Sequence, residues 1–152
     1  MKKLVIGSDN AAFGMKEMLK KYLSEKGYEM EDVGCSSEQD DTYYPYIAER
    51  VCRVLQESSF SKEGILICGT GIGMAMTANK FPGIRAAVCH DSYSAERAKL
   101  SNNANVMCMG ARVIGPELAK QLVLEWLSLE FQDGPSTPKV EAIQEIESRH
   151  LA

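Results

Sequence analysis

The stretch that decides the fold is residues 65–73, Ile-Leu-Ile-Cys-Gly-Thr-Gly-Ile-Gly. Its first half is a short, continuous apolar run, which is typical of a central strand in a parallel sheet covered on both faces. Its second half places glycine at positions 69, 71 and 73, directly before the helical sequence MAMTANK. Residues without Cβ atoms let a ligand approach the main-chain N–H groups at a helix start. The stretch therefore predicts a buried strand that leads into an anion-binding loop.

The spacing of these glycines limits what the loop can bind. It is not G-x-G-x-x-G, and the Gly-Lys-Ser/Thr of a P-loop is missing, so neither a dinucleotide nor a nucleoside triphosphate is indicated. A smaller anion is the better prediction. The alternative is a tight strand-to-helix turn that needs glycine only to fit.

Outward from this stretch, strand-like runs alternate with segments of helical period. The predicted strands are 3–7, 28–34, 63–69, 84–89 and 105–110, the second an edge strand and the last three of central character. Six helices are predicted. The first two have apolar faces, formed by Met15, Met18, Leu19, Tyr22 and Leu23 and by Ile47, Ala48, Val51, Cys52 and Leu55. The third and fourth cover 74–80 and 92–102, the fifth begins at Pro116, and the last has an apolar stripe of Val140, Ile143 and Ile146. This βαβα order predicts an α/β fold, a doubly wound parallel sheet of about five strands with helices on both faces.

Composition restricts the function. The 152 residues with 45% hydrophobic content suit one compact domain, 1–152. A net charge of −4 without a Lys/Arg cluster excludes nucleic acid as a partner. The N-terminal apolar run is too short for a signal peptide or a membrane span, so we expect a cytoplasmic protein without a membrane partner.

Cysteine and histidine usage speaks against two kinds of site. The chain has 5 cysteines and no C-x-x-C pair, so a disulfide framework is not expected. With only 2 histidines, a His-based zinc site of the usual kind cannot be assembled. Carboxylate-bound magnesium remains open.

Cys68 stands where the predicted strand meets the glycine loop. A helix N-terminus favours negative charge at such a position, which makes a thiolate base plausible. The alternative is a small buried hydrophobe, the role we expect for Cys89 and Cys108. Thr70 adds a hydroxyl, and the N–H groups of residues 71–73 can hold a developing oxyanion. A base beside an oxyanion hole is the equipment for abstracting a proton next to a carbonyl.

Two further polar segments are expected at the same edge, because ligands bind at the carboxyl ends of parallel strands. They are Gly7-Ser8-Asp9-Asn10 and Cys89-His90-Asp91. The ordinary pKa of His90 near 6.5 suits it as a candidate acid. A structural role, capping the following helix through Asp91 or Ser92, is the alternative.

Several motifs together resemble one family over nearly the whole chain, in order. They are GSD at 7–9, YP at 44–45, GILICGTGIGMAMTANKFPGIRAA at 64–87, YSAERAK at 93–99, NNANV at 102–106, GARVIG at 110–115 and VEAIQEIE at 140–147. The family is that of ribose-5-phosphate isomerase B and galactose-6-phosphate isomerase.

The resemblance implies a fold and an activity. It implies a Rossmann-like homodimer or dimer of dimers, or a hetero-oligomer in the galactose-6-phosphate branch, that interconverts phosphorylated aldoses and ketoses through a cis-enediolate without a metal or another cofactor. Active sites in this family are shared between subunits. The resemblance therefore implies that a C-terminal tail, residues 135–152, packs its helix on a partner subunit.

The resemblance also assigns roles by position. Cys68 matches the proton-abstracting cysteine, and the loop that binds the enediolate matches Gly69, Gly71, Ile72 and Gly73. Asp9 and Thr70 match residues that position hydroxyl groups, and Tyr44 matches a substrate-side aromatic, although a half-buried tyrosine at a helix start is equally expected. Asn102 and Arg112 match substrate and phosphate contacts. Without the family, Arg112 would be interpreted as a solvated loop residue.

The departures from the family pattern concern ring opening and phosphate binding. Asn10 stands where relatives typically have a histidine, and Ser101 stands where they have the histidine that opens the furanose ring. Two arginines that typically bind phosphate fall on Pro135 and Lys139. Lys139 keeps the charge but not the bidentate fork.

Two functions are compatible with these departures. One is an isomerase for a phosphorylated sugar that needs no ring opening, such as a tetrulose 4-phosphate. The other is a non-catalytic sugar-phosphate-binding chain, or a partner subunit of a heteromeric isomerase. The retained Cys68, Thr70 and glycines favour the first, and the lost histidines favour the second.

Overall fold

The sheet has five parallel strands. The computed structural model describes residues 1–151, and the strands are β1 Lys3–Ser8, β2 Met30–Asp32, β3 Lys62–Cys68, β4 Ala86–Val88 and β5 Val106–Gly110. The helices are α1 Phe13–Glu25, α2 Tyr44–Glu57, α3 Ile72–Ala78, α4 Ser92–Leu100, α5 Pro116–Leu127 and α6 Thr137–His150, and a 3₁₀ turn spans Asn10–Ala12. The strand order is β2-β1-β3-β5-β4, which confirms the predicted doubly wound parallel sheet.

Alternation along the central strands divides the core into two layers. In β3, Ile65 and Ile67 pack in the layer formed with α1, α4 and α5, whereas Leu66 and Cys68 pack in the layer formed with α2 and α3. Successive strand residues point to opposite faces, so both faces of the sheet are covered. Cys68 thus ends the central strand on the α2 and α3 side.

The edges of the sheet agree with one prediction and contradict another. β2 is an edge strand of 3 residues, as its imperfect alternation predicts. The prediction that 84–89 is a central strand is wrong, because β4 is the opposite edge and its residues are only partly buried. A short apolar run cannot distinguish these two places, since a partly covered edge strand also needs apolar side chains.

The inward face of α1 includes a lysine. Leu19 and Leu23 are buried, which confirms part of the predicted face, whereas Met15, Met18 and Tyr22 only border the core. The third buried residue of the helix is Lys16. The buried face of α1 is therefore formed by positions 16, 19 and 23, and the predicted position 15 lies beside it.

The C-terminal helix packs on its own chain at two points. Val140 is buried, and the Glu147 carboxylate accepts a hydrogen bond from the Gly83 N–H at 3.2 Å. Val140 is thus already covered within the chain, whereas Ile143 and Ile146 remain half exposed, 50% each. The expected packing of this helix on a partner subunit stays a prediction for those two residues. Across residues 1–151, the helices are too short or too polar to cross a membrane.

Candidate active site

The candidate site lies between β1 and β3, where the connections from neighbouring strands lead to opposite sides of the sheet. From β1 the chain passes to β2 on one side, and from β3 it passes toward β4 and β5 on the other. The carboxyl ends of two such strands leave a crevice, which is the usual ligand site of doubly wound sheets. Asp9, just after β1, donates its N–H to the Ile67 carbonyl at 3.3 Å. The segments after β1 and β3 therefore meet at this crevice.

Cys68 is held at the crevice by the glycine loop. Its Sγ accepts a hydrogen bond from the Gly71 N–H at 3.1 Å, and its exposed fraction is 5%. Gly71 caps α3 in the left-handed region with φ of 79°, and a Cβ there would lie 2.9 Å from the Met109 carbonyl carbon. Only glycine tolerates both conditions. The turn thus places a main-chain donor on sulfur, where such a contact stabilises negative charge.

The other cysteines are buried thiols with raised pKa values. Burial raises the pKa of Cys52 to about 12 and that of Cys89 to about 11. Burial also raises the pKa of Cys108 well above its ordinary value. Cys89 and Cys108 therefore are small core residues, as the sequence predicts.

The rest of the loop presents a hydroxyl and a helix start. The Ile72 N–H donates to the Thr70 Oγ1 at 3.2 Å, which fixes the threonine side chain over the turn. The Gly73 N–H lies in the first turn of α3, where helix geometry supplies no acceptor. A Cβ at Gly73 would overlap the ring of Tyr44, so glycine allows this ring to lie against the loop.

Tyr44 belongs to a cleft that begins at Asp9. The cleft has a volume of about 550 Å³, and its lining residues are Asp9, Asn10, Asp41, Thr42, Tyr43, Tyr44 and Pro45. The sequence predicted Asp9, Asn10 and Tyr44 here but missed Asp41 and Thr42. The polar segment before Pro45, which opens a helix after β2, is the signal that could have found them.

Arg112 lies over the glycine loop. Its N–H donates to the Gly69 carbonyl at 3.0 Å, and its Nη1 would lie 3.4 Å from a Cβ at Gly69. The side chain is exposed, so its charge is available to a ligand. The structure therefore brings Arg112 to the predicted loop, and phosphate binding by this residue stays a prediction.

His90 reaches the same edge of the sheet but its ring is already engaged. Its Nε2 accepts a hydrogen bond from the Gly110 N–H at 2.9 Å. Burial lowers the pKa of His90, and the neighbouring Asp91 carboxylate only partly opposes this effect. Asp91 itself caps α4 by accepting from the Ser94 N–H at 2.8 Å. The structural role of His90 is thus the orientation of the β5 end rather than the capping of α4.

Three predicted site residues lie elsewhere in the chain. Ser101 and Asn102 follow α4, which runs from the carboxyl edge back to the amino edge, where β5 begins at Val106. The Ser101 Oγ accepts from Arg97 Nη1 at 3.0 Å. Lys139 is exposed on α6. Within one chain, Ser101 and Asn102 therefore lie at the opposite edge of the sheet from Cys68.

Comparisons with known proteins find relatives that match this chain over nearly its whole length. The D-erythrulose-4-phosphate isomerase of Pectobacterium atrosepticum is 48% identical over 143 residues, which cover 94% of this chain and 93% of that protein. The ribose-5-P isomerase B of Listeria innocua is 49% identical over 148 residues, with 97% and 99% covered. The solved structure of Clostridium thermocellum ribose-5-phosphate isomerase B superposes with a TM-score of 0.93 at 39% identity, with 98% of this chain and 99% of that chain covered.

The family model called Ribose/Galactose Isomerase matches residues 4–143. This range contains the glycine loop, the cleft and the first part of α6. The resemblance seen in the motifs is thus confirmed, and the chain belongs to the ribose/galactose isomerase family.

Proposed function

We propose that the chain interconverts the aldose and ketose forms of a small phosphorylated sugar through a cis-enediolate, with Cys68 as the base. The observation that carries this proposal is the Gly71 N–H directed at the Cys68 Sγ at 3.1 Å. A thiolate held by a fixed main-chain donor at the end of a central strand is suited to proton transfer at carbon. The proposal places this reaction in the cytoplasm, where phosphorylated sugars are metabolised.

In this reaction the residues of the loop have different roles. Cys68 removes the proton from the carbon beside the carbonyl, and the electron pair of that C–H bond forms the enediolate. The Gly73 N–H, which has no acceptor in the helix, stabilises the charge on oxygen, whereas the Gly71 N–H is directed at the Cys68 Sγ and the Ile72 N–H at the Thr70 Oγ1. The thiol returns the proton to the neighbouring carbon, and the hydroxyl proton of the enediolate passes from the new carbonyl oxygen to the former one, while Asp9 and Thr70 position these two oxygens.

The substrate that best fits is a tetrulose 4-phosphate. A furanose or pyranose ring requires a free hydroxyl on carbon 4 or 5, and in a tetrose 4-phosphate the terminal oxygen is already esterified. Such a substrate stays acyclic, so its enzyme needs no acid that opens a ring. Ribose 5-phosphate has a free hydroxyl on carbon 4 and closes to a furanose.

The side chains at the two replaced histidine positions support this choice. Asn10 has no proton that it can donate as an acid at neutral pH, and the Ser101 hydroxyl is engaged by Arg97 at 3.0 Å. The Nε2 of His90 is occupied by the Gly110 N–H. The name of the Pectobacterium relative, a D-erythrulose-4-phosphate isomerase, points to the same substrate class.

We extend the proposal to a homodimer whose active sites are shared. Ser101 and Asn102 lie at the opposite edge of the sheet from the Cys68 of their own chain, and in a dimer they and the exposed Lys139 would complete the site of the partner. Lys139 would supply positive charge to the phosphate together with Arg112. Half-exposed Ile143 and Ile146 on α6 would then be covered by the second copy.

One kinetic comparison tests the substrate. Both enantiomers of erythrulose 4-phosphate, ribose 5-phosphate and galactose 6-phosphate are assayed on one preparation. We expect kcat/KM to be at least about tenfold higher for one erythrulose 4-phosphate, which corresponds to about 1.4 kcal/mol in transition-state stabilisation. A preference for ribose 5-phosphate would overturn the acyclic substrate. Absence of proton exchange into any of these sugars in deuterated water would instead favour a non-catalytic binding chain.

A further inference from the structure

Lys16 is a buried cation that the proposed reaction does not use. Only 1% of Lys16 is exposed, although it belongs to α1, a helix that packs on the outside of the sheet. Its Nζ lies 3.0 and 2.8 Å from the two carboxylate oxygens of Asp32 and 2.7 Å from the Cys35 carbonyl oxygen. An ammonium has three donors, and all three find acceptors here. Such complete pairing is what burial of a lysine requires.

Asp32 ends β2 and starts the loop that walls the cleft, residues 33–43. Burial by itself would raise the pKa of Asp32, but hydrogen bonds from Lys16, Lys20 and the Gly34 N–H outweigh it and lower the pKa. The carboxylate is therefore charged at neutral pH. Its Oδ1 accepts from the Gly34 N–H at 2.9 Å, so the ion pair also fixes the first turn of the loop.

The loop is attached to β1 directly after this turn. The Cys35 N–H donates to the Ser8 carbonyl at 2.9 Å, while the Cys35 carbonyl accepts from Lys16. A Cβ at Gly34 would lie 2.6 Å from the Ser8 nitrogen, which shows how closely the two segments approach. Both main-chain groups of Cys35 are thus tied down next to Asp9.

From Cys35 to the cleft, the loop is braced internally. The Asp40 carboxylate accepts from the N–H and hydroxyl groups of Ser36 and Thr42, with the shortest bond 2.6 Å. These hydrogen bonds join residues 36–42 into one braced turn, whose Asp41 and Thr42 line the cleft together with Tyr44 and Asp9. A displacement at Cys35 would therefore be transmitted to the cleft wall.

We propose that Lys16 is a positioning residue for substrate binding: through Asp32 and the Cys35 carbonyl it holds the loop 33–43 at the distance from Asp9 that the substrate requires. The inference rests on the proposed function, since the cleft is taken as the sugar-phosphate site. Lys20 provides the internal contrast. It also pairs with Asp32, at 2.8 Å, but makes no contact with the loop backbone.

The test compares Lys16→Met, which keeps the aliphatic stem, with the matched control Lys20→Met. We expect Lys16→Met to raise KM about tenfold and to change kcat less than about threefold, the pattern of lost binding that is equal in ground and transition states. Lys20→Met should leave both within about twofold. Lys16→Arg retains charge and donors and should recover most of the loss.

Amide hydrogen exchange of residues 36–42 is measured on the same proteins without substrate. We expect about tenfold faster exchange in Lys16→Met and unchanged exchange in Lys20→Met. A KM or a loop exchange rate in Lys16→Met equal to that of the wild type overturns the positioning role, whatever the thermal stability. If the wild type turns over no sugar phosphate, the proposed function fails, and the exchange rates still decide whether Lys16 holds the loop.

Discussion

The carboxyl ends of the parallel strands (the carboxyl edge) and their amino ends (the amino edge) are built differently. At the carboxyl edge, a glycine loop brings main-chain donors to Cys68, and the cleft beside it is open. At the amino edge, buried charged side chains pair with each other: Lys99 Nζ lies 2.9 Å from Glu63 and 3.9 Å from the centre of the Trp126 ring. The same pair lines a cavity of about 380 Å³. Main-chain groups thus shape the site at one edge, whereas paired side-chain charges hold the elements together at the other.

This difference bears on the proposal that two chains share each active site. The ion pair between Glu63 and Lys99 joins the start of β3 to the last turn of α4, directly before Ser101 and Asn102. Asn102 is exposed and lines a surface pocket together with Ile84, Arg85 and Ile143. The amino edge therefore suits the contribution to a second copy that we propose.

The largest effect is expected at the carboxyl edge. Cys68→Ala removes the proposed base and should lower kcat by about 10² to 10⁴ while the far-ultraviolet circular dichroism stays native. Cys108→Ala is the matched control, because Cys108 is buried in the same layer and takes no part in the reaction. It should lose stability but keep most of its activity. A Cys68→Ala variant with more than half of the wild-type rate would reduce this cysteine to packing.

The second prediction tests whether the carboxyl edge of one chain and the amino edge of its partner form one active site. Cys68→Ala and Asn102→Ala damage different halves of the proposed shared site, so each homodimer should be nearly inactive. When the two are coexpressed, half of the dimers are mixed and each mixed dimer has one intact site. Activity should therefore recover to about a quarter of the wild-type value.

The control for this experiment pairs Cys68→Ala with Thr70→Ala, which damage the same half. Their mixed dimers have no intact site and should show no recovery. If native mass spectrometry finds mixed dimers of the Cys68→Ala and Asn102→Ala chains without recovered activity, each chain builds its own site and the sharing is wrong.

Local sequence patterns predict the carboxyl edge well because its chemistry is local. The apolar run before Cys68 requires a buried strand, and alternate glycines require a close turn, so the loop follows from nine consecutive residues. Direction also follows from order, since a helix between parallel strands returns to the amino edge. Because Ser101 follows such a helix, its separation from Cys68 can be predicted from the order of the elements alone.

Long-range pairing is what the sequence did not predict. Lys16 looks like a solvent-facing residue beside Met15, and only its distance to Asp32 explains its burial. β4 looks central by composition, and only the strand order makes it an edge. Both depend on which segments meet across the sheet, and hydrophobic periodicity does not contain that information.

A smaller effect is expected from two glycine substitutions. Gly73→Ala introduces a Cβ that overlaps the Tyr44 ring, so the ring must leave the loop, and we expect about a tenfold loss in kcat/KM and about 1–3 kcal/mol of stability. Gly14→Ala, in the first turn of α1 with open space around it, should add about 0.5–1 kcal/mol and keep activity. Urea unfolding and steady-state kinetics measure both. A fully active Gly73→Ala would show that Tyr44 does not need this position.

The smallest effect concerns His90 and pH. Burial lowers the pKa of His90 in the folded chain below its ordinary value of 6.5. Below that pH, His90 is protonated in the unfolded chain but still neutral in the folded chain. The contribution of His90 to the free energy of unfolding is therefore fully present above about pH 6.5 and decreases as the pH falls toward the folded pKa. Protonation of Nε2 would also remove the acceptor of the Gly110 N–H at the end of β5.

We therefore expect the Tm of the wild type to fall between pH 7 and pH 5 by about 1–3 °C more than the Tm of His90→Gln, whose amide oxygen can reach the position of Nε2 and accept the same hydrogen bond without titrating. His150→Gln, changed at the exposed end of α6, should follow the wild type. Activity separates this structural role from acid catalysis, because a ring-opening or proton-donating His90 would make His90→Gln slower by about 10² or more. A loss of that size, with an unchanged Tm profile, would return His90 to the reaction and would make a cyclic substrate the better match for the carboxyl edge.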